Sequence, residues 1–219
     1  MSNLKEKIMK LRLNILFTIL AFFFCHVQSV YAANTGAQQL KTFLNKSVSF
    51  SAAFSQSLFD ENGIELQFSA GNFSLQKPGK FVWDYEEPYK QVIMSNGKLI
   101  WLFDSELDQV TIKPVESSLS KTSMVLLFNK NDIEDDFKIL TMDVLDGVNW
   151  LELVAIKQDA EFSSIFIGMK NNLIDSIKMI DGFGQTTLIK FTKISTAVKF
   201  KAGYFNFIIP KNADVIGGE

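Results

Sequence analysis

The residue types on which most enzymes rely are scarce in this chain. Its 219 residues include one histidine and one cysteine, which are adjacent at His26 and Cys25. The sequence contains neither a Gly-x-Ser-x-Gly nucleophile motif nor a phosphate-binding Gly-x-x-x-x-Gly-Lys-Ser/Thr loop. Gly182-Phe183-Gly184 matches part of a dinucleotide fingerprint, but it falls in a predicted turn between strands. We therefore expect no His- or Cys-dependent catalysis, no cofactor and no conventional zinc site.

Carboxylates are the remaining candidates for catalytic or metal-binding groups. Asp84, Glu86 and Glu87 could serve as the acid and base of a glycosidase, and the acidic run at 132–136 could hold calcium. Asp84 and Glu86 are out of phase with the neighbouring aromatic residues, so they are predicted to face solvent. The acidic run lacks the spacing, the glycine and the final glutamate of an EF-hand, and it is more typical of a solvated helix start. The pattern favours a protein that is neither an enzyme nor a metal-binding protein.

The first 32 residues have the composition of a secretory signal peptide. Basic residues precede an apolar run from Leu13 to Cys25, and Val30-Tyr31-Ala32 fits the small-residue cleavage rule. A retained membrane anchor is the alternative, but the run is short for a span and is interrupted by Asn14. We therefore expect cleavage after Ala32.

Residues 33–219, the predicted mature chain, contain no cysteine, so disulfides cannot stabilise them. The formal net charge of the whole chain is −2, and loss of the basic leader makes the remainder more acidic, which disfavours nucleic acid as a partner. No repeat, low-complexity tract or flexible linker divides the sequence. A single domain is predicted for residues 33–219.

The clearest structural signal begins at Lys77. Lys77-Pro78-Gly79-Lys80 predicts a type II turn, since proline presets φ and glycine accepts the positive φ that such a turn needs. Behind the turn Phe81, Trp83 and Tyr85 alternate with other residues, so one strand face carries three rings. Asn96-Gly97 predicts a second tight hairpin close by. The result is an antiparallel sheet with an aromatic face.

The rest of the pattern extends this sheet. Thr35 and Gln38 stand in the capping-box relation and begin a helix, and a second helix is predicted at 117–129. Together with a helical turn near 132–137, two or three helices accompany about eleven strands joined mostly by tight turns. Phe68 and Phe73 have opposite parity, which predicts an inserted residue, a β-bulge, near Gly71.

Apolar surface is in excess of what so few helices can cover. A curled sheet that is incompletely filled leaves an apolar cavity whose ligand would be hydrocarbon, whereas an ordinary core is the alternative interpretation. The residues predicted to line this cavity are Phe54, Leu58, Phe68, Phe73, Leu75, Phe81, Trp83, Tyr85, Trp101 and Phe103.

An ordered set of motifs runs through the same region. They are Phe54-Ser55-Gln56, Gly71, Lys77-Pro78, Phe81-Val82-Trp83, Pro88 and Ser95-Asn96-Gly97. In this order they resemble the periplasmic outer-membrane lipoprotein carriers of the LolA family. The resemblance implies a mainly β fold, an unclosed antiparallel β-barrel covered by an α-helical lid that encloses a hydrophobic cavity.

The resemblance also implies a function. It describes a soluble, monomeric periplasmic chaperone that accepts acylated lipoproteins released by an inner-membrane ABC transporter and delivers them to the outer-membrane receptor LolB. A LolA-like carrier or sensor for another lipid or glycolipid is the alternative. The family positions that matter for cargo acceptance and for the lid fall on Lys77 and Phe81. The family has arginine where Lys77 stands, and lysine is a compact point charge without arginine's planar fork. We expect Lys77 to donate hydrogen bonds to carbonyls of a covering helix or loop.

Overall fold

The computed structural model describes residues 35–115, 133–156 and 162–218. The predicted signal peptide and the predicted helix at 117–129 lie outside the described residues, so those two predictions remain predictions. The helical turn predicted near 132–137 is present as a short 3₁₀ helix at Ile133–Asp135.

One α-helix, α1 (Gly36–Lys46), precedes the strands in the described chain. Its start follows from the predicted capping box, which is confirmed. The backbone N–H of Gln38 donates to Thr35 Oγ1 (3.3 Å), and the backbone N–H of Thr35 donates to Gln38 Oε1 (3.2 Å). Leu40 and Phe43 lie on the buried side of the helix, 1% and 2% exposed. This apolar stripe fixes the face that α1 turns toward the sheet.

Twelve strands are present in the described part of the chain, against about eleven predicted. They are β1 (Ser49–Phe59), β2 (Glu65–Gln76), β3 (Lys80–Glu87), β4 (Gln91–Asn96), β5 (Leu99–Asp104), β6 (Gln109–Pro114), β7 (Phe137–Leu145), β8 (Val148–Ala155), β9 (Phe162–Lys170), β10 (Leu173–Asp181), β11 (Thr186–Thr196) and β12 (Asp214–Gly217). The strand predicted at 205–209 does not form. The last strand of the described chain is β12, which begins at Asp214.

All twelve strands form one sheet in the order β12-β6-β5-β4-β3-β2-β1-β11-β10-β9-β8-β7. Neighbouring strands are antiparallel, except that β12 pairs with β6 in parallel. The order leaves β7 and β12 at opposite edges, so the described sheet is open. The predicted unclosed, mainly antiparallel architecture is confirmed.

The irregularity predicted near Gly71 is present, but the inserted residue belongs to the neighbouring strand. Ala70 pairs with Glu87 and Gly71 pairs with Tyr85, which leaves Glu86 as the extra residue of β3. A Cβ on Gly71 would lie 1.9 Å from the carbonyl oxygen of Asp84. Glycine is required here because the bulged strand approaches its backbone closely.

The two faces of the sheet are contacted by different segments of the described chain, α1 on one face and the segment before β12 on the other. We call the face that carries Phe50 and contacts α1 the inner face; the rings of Phe43 in α1 and Phe50 in β1 lie 5.5 Å apart. The other is the outer face, where Ser74 Oγ and the hydroxyl of Tyr204, in the segment before β12, lie 3.1 Å apart. The main buried cluster, which includes Leu40 and Phe43 of α1, lies on the inner face.

Candidate functional site

A cluster of aromatic rings occupies the inner face of β1, β2 and β3. Strand register places Phe73 opposite Trp83 and Gly71 opposite both Phe54 and Tyr85. The ring centroids of Phe73 and Trp83 are 4.7 Å apart, and Phe54 lies 5.1 Å from both Trp83 and Tyr85. Gly71 has no side chain, which leaves room for the rings on either side. Edge-to-face contacts of this kind stabilise the cluster beyond its area burial.

Most of the predicted cavity residues therefore do share one face. Those on the inner face are Phe54, Leu58, Phe73, Leu75, Phe81, Trp83 and Tyr85. Leu58 is half-buried near the end of β1, whereas Phe73 is 0% exposed. The rings of Phe54, Phe73 and Trp83 are buried, and α1 reaches this face through Phe43, whose ring meets Phe50.

Trp101 and Phe103 lie on the outer face, so their assignment to the same apolar cavity was wrong. Trp101 pairs with Met94 and Phe103 with Val92, and both partners lie on the outer side of β4. The ring of Phe207 covers both side chains, with a centroid distance of 6.0 Å to each. The register across the Asn96-Gly97 turn decides this orientation, because a shift of one residue exchanges the faces.

Phe68 also departs from the predicted set. It pairs with Ser57 on the outer side of β1, and 49% of its surface is exposed. The alternation of β2 runs unbroken from Gln67 to Gln76 against β1, so Phe68 and Phe73 face opposite sides. The bulge in β3 does not change the parity of β2.

The inner-face cluster contains residues that the predicted set omitted. Phe50 lies 6.0 Å from Phe73, and Phe191 of β11 lies 6.0 Å from the same ring. The alternation of β1 already placed Phe50 on this face. Phe191 joins it because β11 pairs with β1, with Phe54 opposite Phe191. That long-range pairing has no local sequence signal.

Lys77 connects the sheet to α1. Its Nζ donates a hydrogen bond to the backbone carbonyl of Leu44 in the last turn of the helix. Its backbone N–H donates to the carbonyl of Val48 (2.9 Å). Lys77 is half-buried, and desolvation by burial lowers the pKa of its ammonium group. The hydrogen bond expected from Lys77 to a covering helix is thus present.

Phe81 follows the same turn but lies deeper than a rim residue. It is 1% exposed and pairs with Leu75 on the inner face. A carboxylate at this position would be buried in an apolar cluster, at a cost on the order of several kcal/mol. Replacement of Phe81 by glutamate would therefore impair folding as well as any role in cargo entry.

The turn that carries Lys77 is braced by a second turn. Gly79 has a φ of 69°, and a Cβ on it would lie 3.1 Å from the Cα of Gly97 in the β4–β5 turn. Buried Ser95 donates from its Oγ to the carbonyl of Gly79 (2.8 Å). The Lys77–Pro78 peptide is cis. Because the two turns contact each other through backbone atoms, Lys77 projects from a well-supported base.

Tyr85 marks the other end of the aromatic cluster. Its hydroxyl donates to Gln56 Oε1 (3.2 Å). Burial raises the pKa of Tyr85 to about 12, and the hydrogen bond to Gln56 acts in the opposite direction. Beside and beyond Tyr85 the inner-face side chains Gln56, Ser69 and Gln67 are polar, whereas Leu58 at the end of β1 is apolar.

Of the carboxylates considered for catalysis, Asp84 and Glu86 lie away from the aromatic cluster, whereas Glu87 lines a cavity beside Tyr85. Asp84 pairs with Asn72 and Val92 on the outer face. Its pKa is raised by burial and, to a smaller extent, by the charge of Glu86, whereas the charge of Lys90 lowers it. Glu86 accepts a hydrogen bond from Asn72 Nδ2 (2.9 Å).

In residues 35–115, 133–156 and 162–218, no group of three or more His, Cys, Asp or Glu side chains is placed to hold a metal ion. Within the same residues, no helix is both long and apolar enough to cross a membrane.

Comparison with known proteins identifies the family. The family described as "Outer membrane lipoprotein carrier protein LolA" matches residues 45–208. The outer-membrane lipoprotein carrier protein of Cupriavidus pinatubonensis is 34% identical over 200 residues, which cover 90% of this chain and 93% of that protein. The carrier protein of Dechloromonas aromatica is 32% identical over 208 residues, covering 94% of this chain and 100% of that protein.

A solved structure shows the same fold at low identity. The uncharacterized conserved protein from Thermus thermophilus has a TM-score of 0.54 and 12% identity, covering 82% of this chain and 98% of that chain. The sequence relatives carry the assignment, and the structural likeness agrees with it in fold. The chain belongs to the outer membrane lipoprotein carrier family, LolA.

Proposed function

We propose that this protein is a periplasmic chaperone that carries acylated lipoproteins and shields their acyl chains on the inner face of its sheet. The observation that supports this most directly is the aromatic inner face, beside which Lys77 holds the end of α1. Such a face is suited to hydrocarbon, and a modest change in free energy is enough to release the bond from Lys77.

The energetics of acyl chains explain why such a carrier is needed. Each methylene removed from water contributes about 0.8 kcal/mol, so an exposed lipoprotein does not leave a membrane at a useful rate. The carrier must also release its cargo. A face that is closed when empty meets both needs, because the free energy of opening is subtracted from the intrinsic affinity for cargo.

The inner-face residues have different roles in this proposal. Phe54, Leu58, Phe73, Leu75, Trp83 and Tyr85 form the surface on which acyl chains lie once α1 moves. Lys77 holds α1 in the closed state and releases the carbonyl of Leu44 when cargo enters. Phe81, buried beside Leu75, is displaced at the same step. Trp101 and Phe103 take no part, since they face the other side.

Membership of the family supports the remaining steps of the proposal. After removal of the signal peptide at residues 1–32, the single domain at 33–219 acts as a monomer in the periplasm. It receives cargo from an inner-membrane ABC transporter and passes it to the LolB receptor. This chain itself acts as a carrier and has no catalytic step.

Fluorescence of the purified protein tests the proposal. In a Trp101→Phe, Trp150→Phe background, emission comes from Trp83 on the inner face. A fatty probe that absorbs at the emission wavelength should bind saturably and quench Trp83, and a triacylated lipopeptide should displace it. An ordinary filled core would show no saturable binding, because interiors of normal density have no room for a chain. Displacement by free lipids but not by lipopeptide would mean that the cargo is a different lipid.

A further inference from the structure

The inner face changes from aromatic to polar along its own strands. Beyond Phe54 the next inner-face residue of β1 is Gln56, which pairs with Ser69 of β2. Tyr85 pairs with Gln91, and Gln91 pairs in turn with Asp104 of β5. Apart from Leu58, the same rows of side chains are thus apolar near α1 and polar at the far end. An amphiphile has the same two parts.

A cavity of about 240 Å³ lies at this polar end, and Gln56, Ser69, Tyr85 and Gln91 contribute to its lining. Its lining also includes four charged residues, which are Glu87, Lys90, Asp104 and Glu106. Three carboxylates against one ammonium give the cavity a net negative charge. Glu87 and Glu106 are exposed, whereas the hydroxyl of Tyr85 and the amide of Gln56 are paired at the inner end.

A buried polar group next to Tyr85 points to a ligand. Trp83 is 4% exposed, and its indole Nε1–H has no hydrogen-bond partner among the described residues. Trp83 belongs to the aromatic cluster, and its ring lies 6.3 Å from that of Tyr85, which lines the cavity. Leaving a buried donor unpaired is unfavourable by about 1–3 kcal/mol, so such groups call for an explanation. An ester or amide carbonyl at the top of an acyl chain would satisfy it.

We propose that the polar cavity binds the head of the amphiphile whose chains lie on the aromatic face, and that it selects lipopeptide heads over phosphate-bearing lipid heads. The proposal rests on the proposed carrier function and adds the basis of its selectivity. A lipopeptide head offers carbonyls and amide N–H groups, which Trp83, Gln56 and Gln91 can pair. A phospholipid head brings a phosphate, which Glu87 and Glu106 repel. Such a carrier would reject the phospholipid that surrounds its cargo in the membrane.

Two short-chain ligands with identical acyl chains isolate the head. They are dioctanoylglyceryl-cysteinyl-serine amide and dioctanoylphosphatidylglycerol, each used to displace a fluorescent fatty probe. The wild-type protein should prefer the lipopeptide. Glu87→Gln combined with Glu106→Gln should reduce that preference about fivefold, by strengthening phospholipid binding, because each exposed charge contributes roughly 0.2–1 kcal/mol. The matched control, Asp143→Asn with Asp146→Asn, removes two exposed carboxylates from the β7–β8 hairpin and should leave the preference unchanged.

Equal binding of the two ligands to the wild type, or an unchanged preference in the Glu87/Glu106 variant, would overturn the inference while leaving the carrier function standing. Failure of both ligands to displace the probe would instead count against the carrier function itself.

A second pair of ligands tests the part played by Trp83. The ester-linked lipopeptide is compared with its dialkyl ether analogue, which lacks the carbonyls. The wild type should favour the ester about fivefold, as expected for one neutral hydrogen bond. Trp83→Phe keeps a ring but removes the N–H, so the ester preference should disappear even if both affinities fall. An ester preference that persists in Trp83→Phe would show that the indole is not the donor.

Discussion

Replacing Lys77 by methionine should make the protein bind cargo more tightly and release it more slowly. Methionine keeps an unbranched apolar chain of similar length but cannot donate to the carbonyl of Leu44. The closed state then loses the hydrogen bond between β2–β3 and the end of α1. Lys80, on the other side of the same turn, provides the matched control, since Lys80→Met removes an equal charge three residues away.

The expected size of the effect follows from the environment of Lys77. A hydrogen bond from a charged donor contributes about 1.5–3 kcal/mol. Lys77 is half-buried, and the lowered pKa of its ammonium shows that burial itself is unfavourable to the charge. Because Lys77 is only half-buried, solvent screening reduces the contribution of the bond to the closed state to about 1–1.4 kcal/mol. The open fraction and the apparent affinity should therefore rise about five- to tenfold in Lys77→Met.

Stopped-flow displacement of a fatty probe measures both quantities, and delivery to LolB measures their consequence. Lys77→Met should show a lower dissociation constant, a slower off-rate and reduced transfer, whereas Lys77→Arg should restore closure because its planar fork can bond to more than one carbonyl. Equal affinity and transfer in wild type, Lys77→Met and Lys80→Met would refute the reasoning and show that the Leu44 bond is only structural.

Three further predictions concern the sheet. Gly71→Ala should destabilise the fold by about 3 kcal/mol or more in urea unfolding, since the added Cβ would lie 1.9 Å from the carbonyl oxygen of Asp84. Gly182→Ala is the control, because no atom lies within 4 Å of its added Cβ. Burial raises the pKa of Tyr85 from its ordinary value of 10.0 to about 12. The stabilising effect of the neutral form is therefore complete below pH 10 and is lost as pH rises toward 12. Urea midpoints between pH 8 and 11 should fall less steeply in Tyr85→Phe than in the wild type, and parallel curves would contradict this. Phe207→Ala should lower the free energy of unfolding by about 1–2 kcal/mol. It should leave probe affinity unchanged, because the ring of Phe207 covers the outer face. A changed affinity would place the outer face in the cargo site.

The sequence was sufficient for the architecture because its signals are local. Thr35 and Gln38 define the start of α1 through one capping box, and Gly79 and Asn96-Gly97 define the tight turns that bring β2 to β5 together. Alternation in β1 and β3 placed Phe54, Trp83 and Tyr85 on the same face. Each of these predictions depends on residues a few positions apart, where turn chemistry and strand period determine the geometry.

The errors occur where the local pattern is ambiguous. Residues 99–103, Leu-Ile-Trp-Leu-Phe, are apolar at every position, so alternation does not show whether Trp101 or its neighbours Ile100 and Leu102 face inward. Register with β4 decides it, and Ile93 pairs with Leu102. Phe191 was missed for a related reason, since a pairing between β1 and β11 spans most of the chain. The polar end of the inner face likewise depends on cross-strand register.

The covering of the two faces by opposite ends of the described chain has a consequence for motion. Phe207 and Tyr204 remain on the outer face through contacts with Trp101, Phe103 and Ser74 that do not involve α1. Displacing α1 therefore removes the support of one side while the strands keep their ladder and their other layer. Opening the helix is a smaller event than unfolding the sheet, because only the contacts of α1 itself, such as those of Leu40 and Phe43 and the Lys77 bond, are lost. Repeated loading cycles would then leave the sheet folded, because the energy spent in each cycle is that of the helix and not of the sheet.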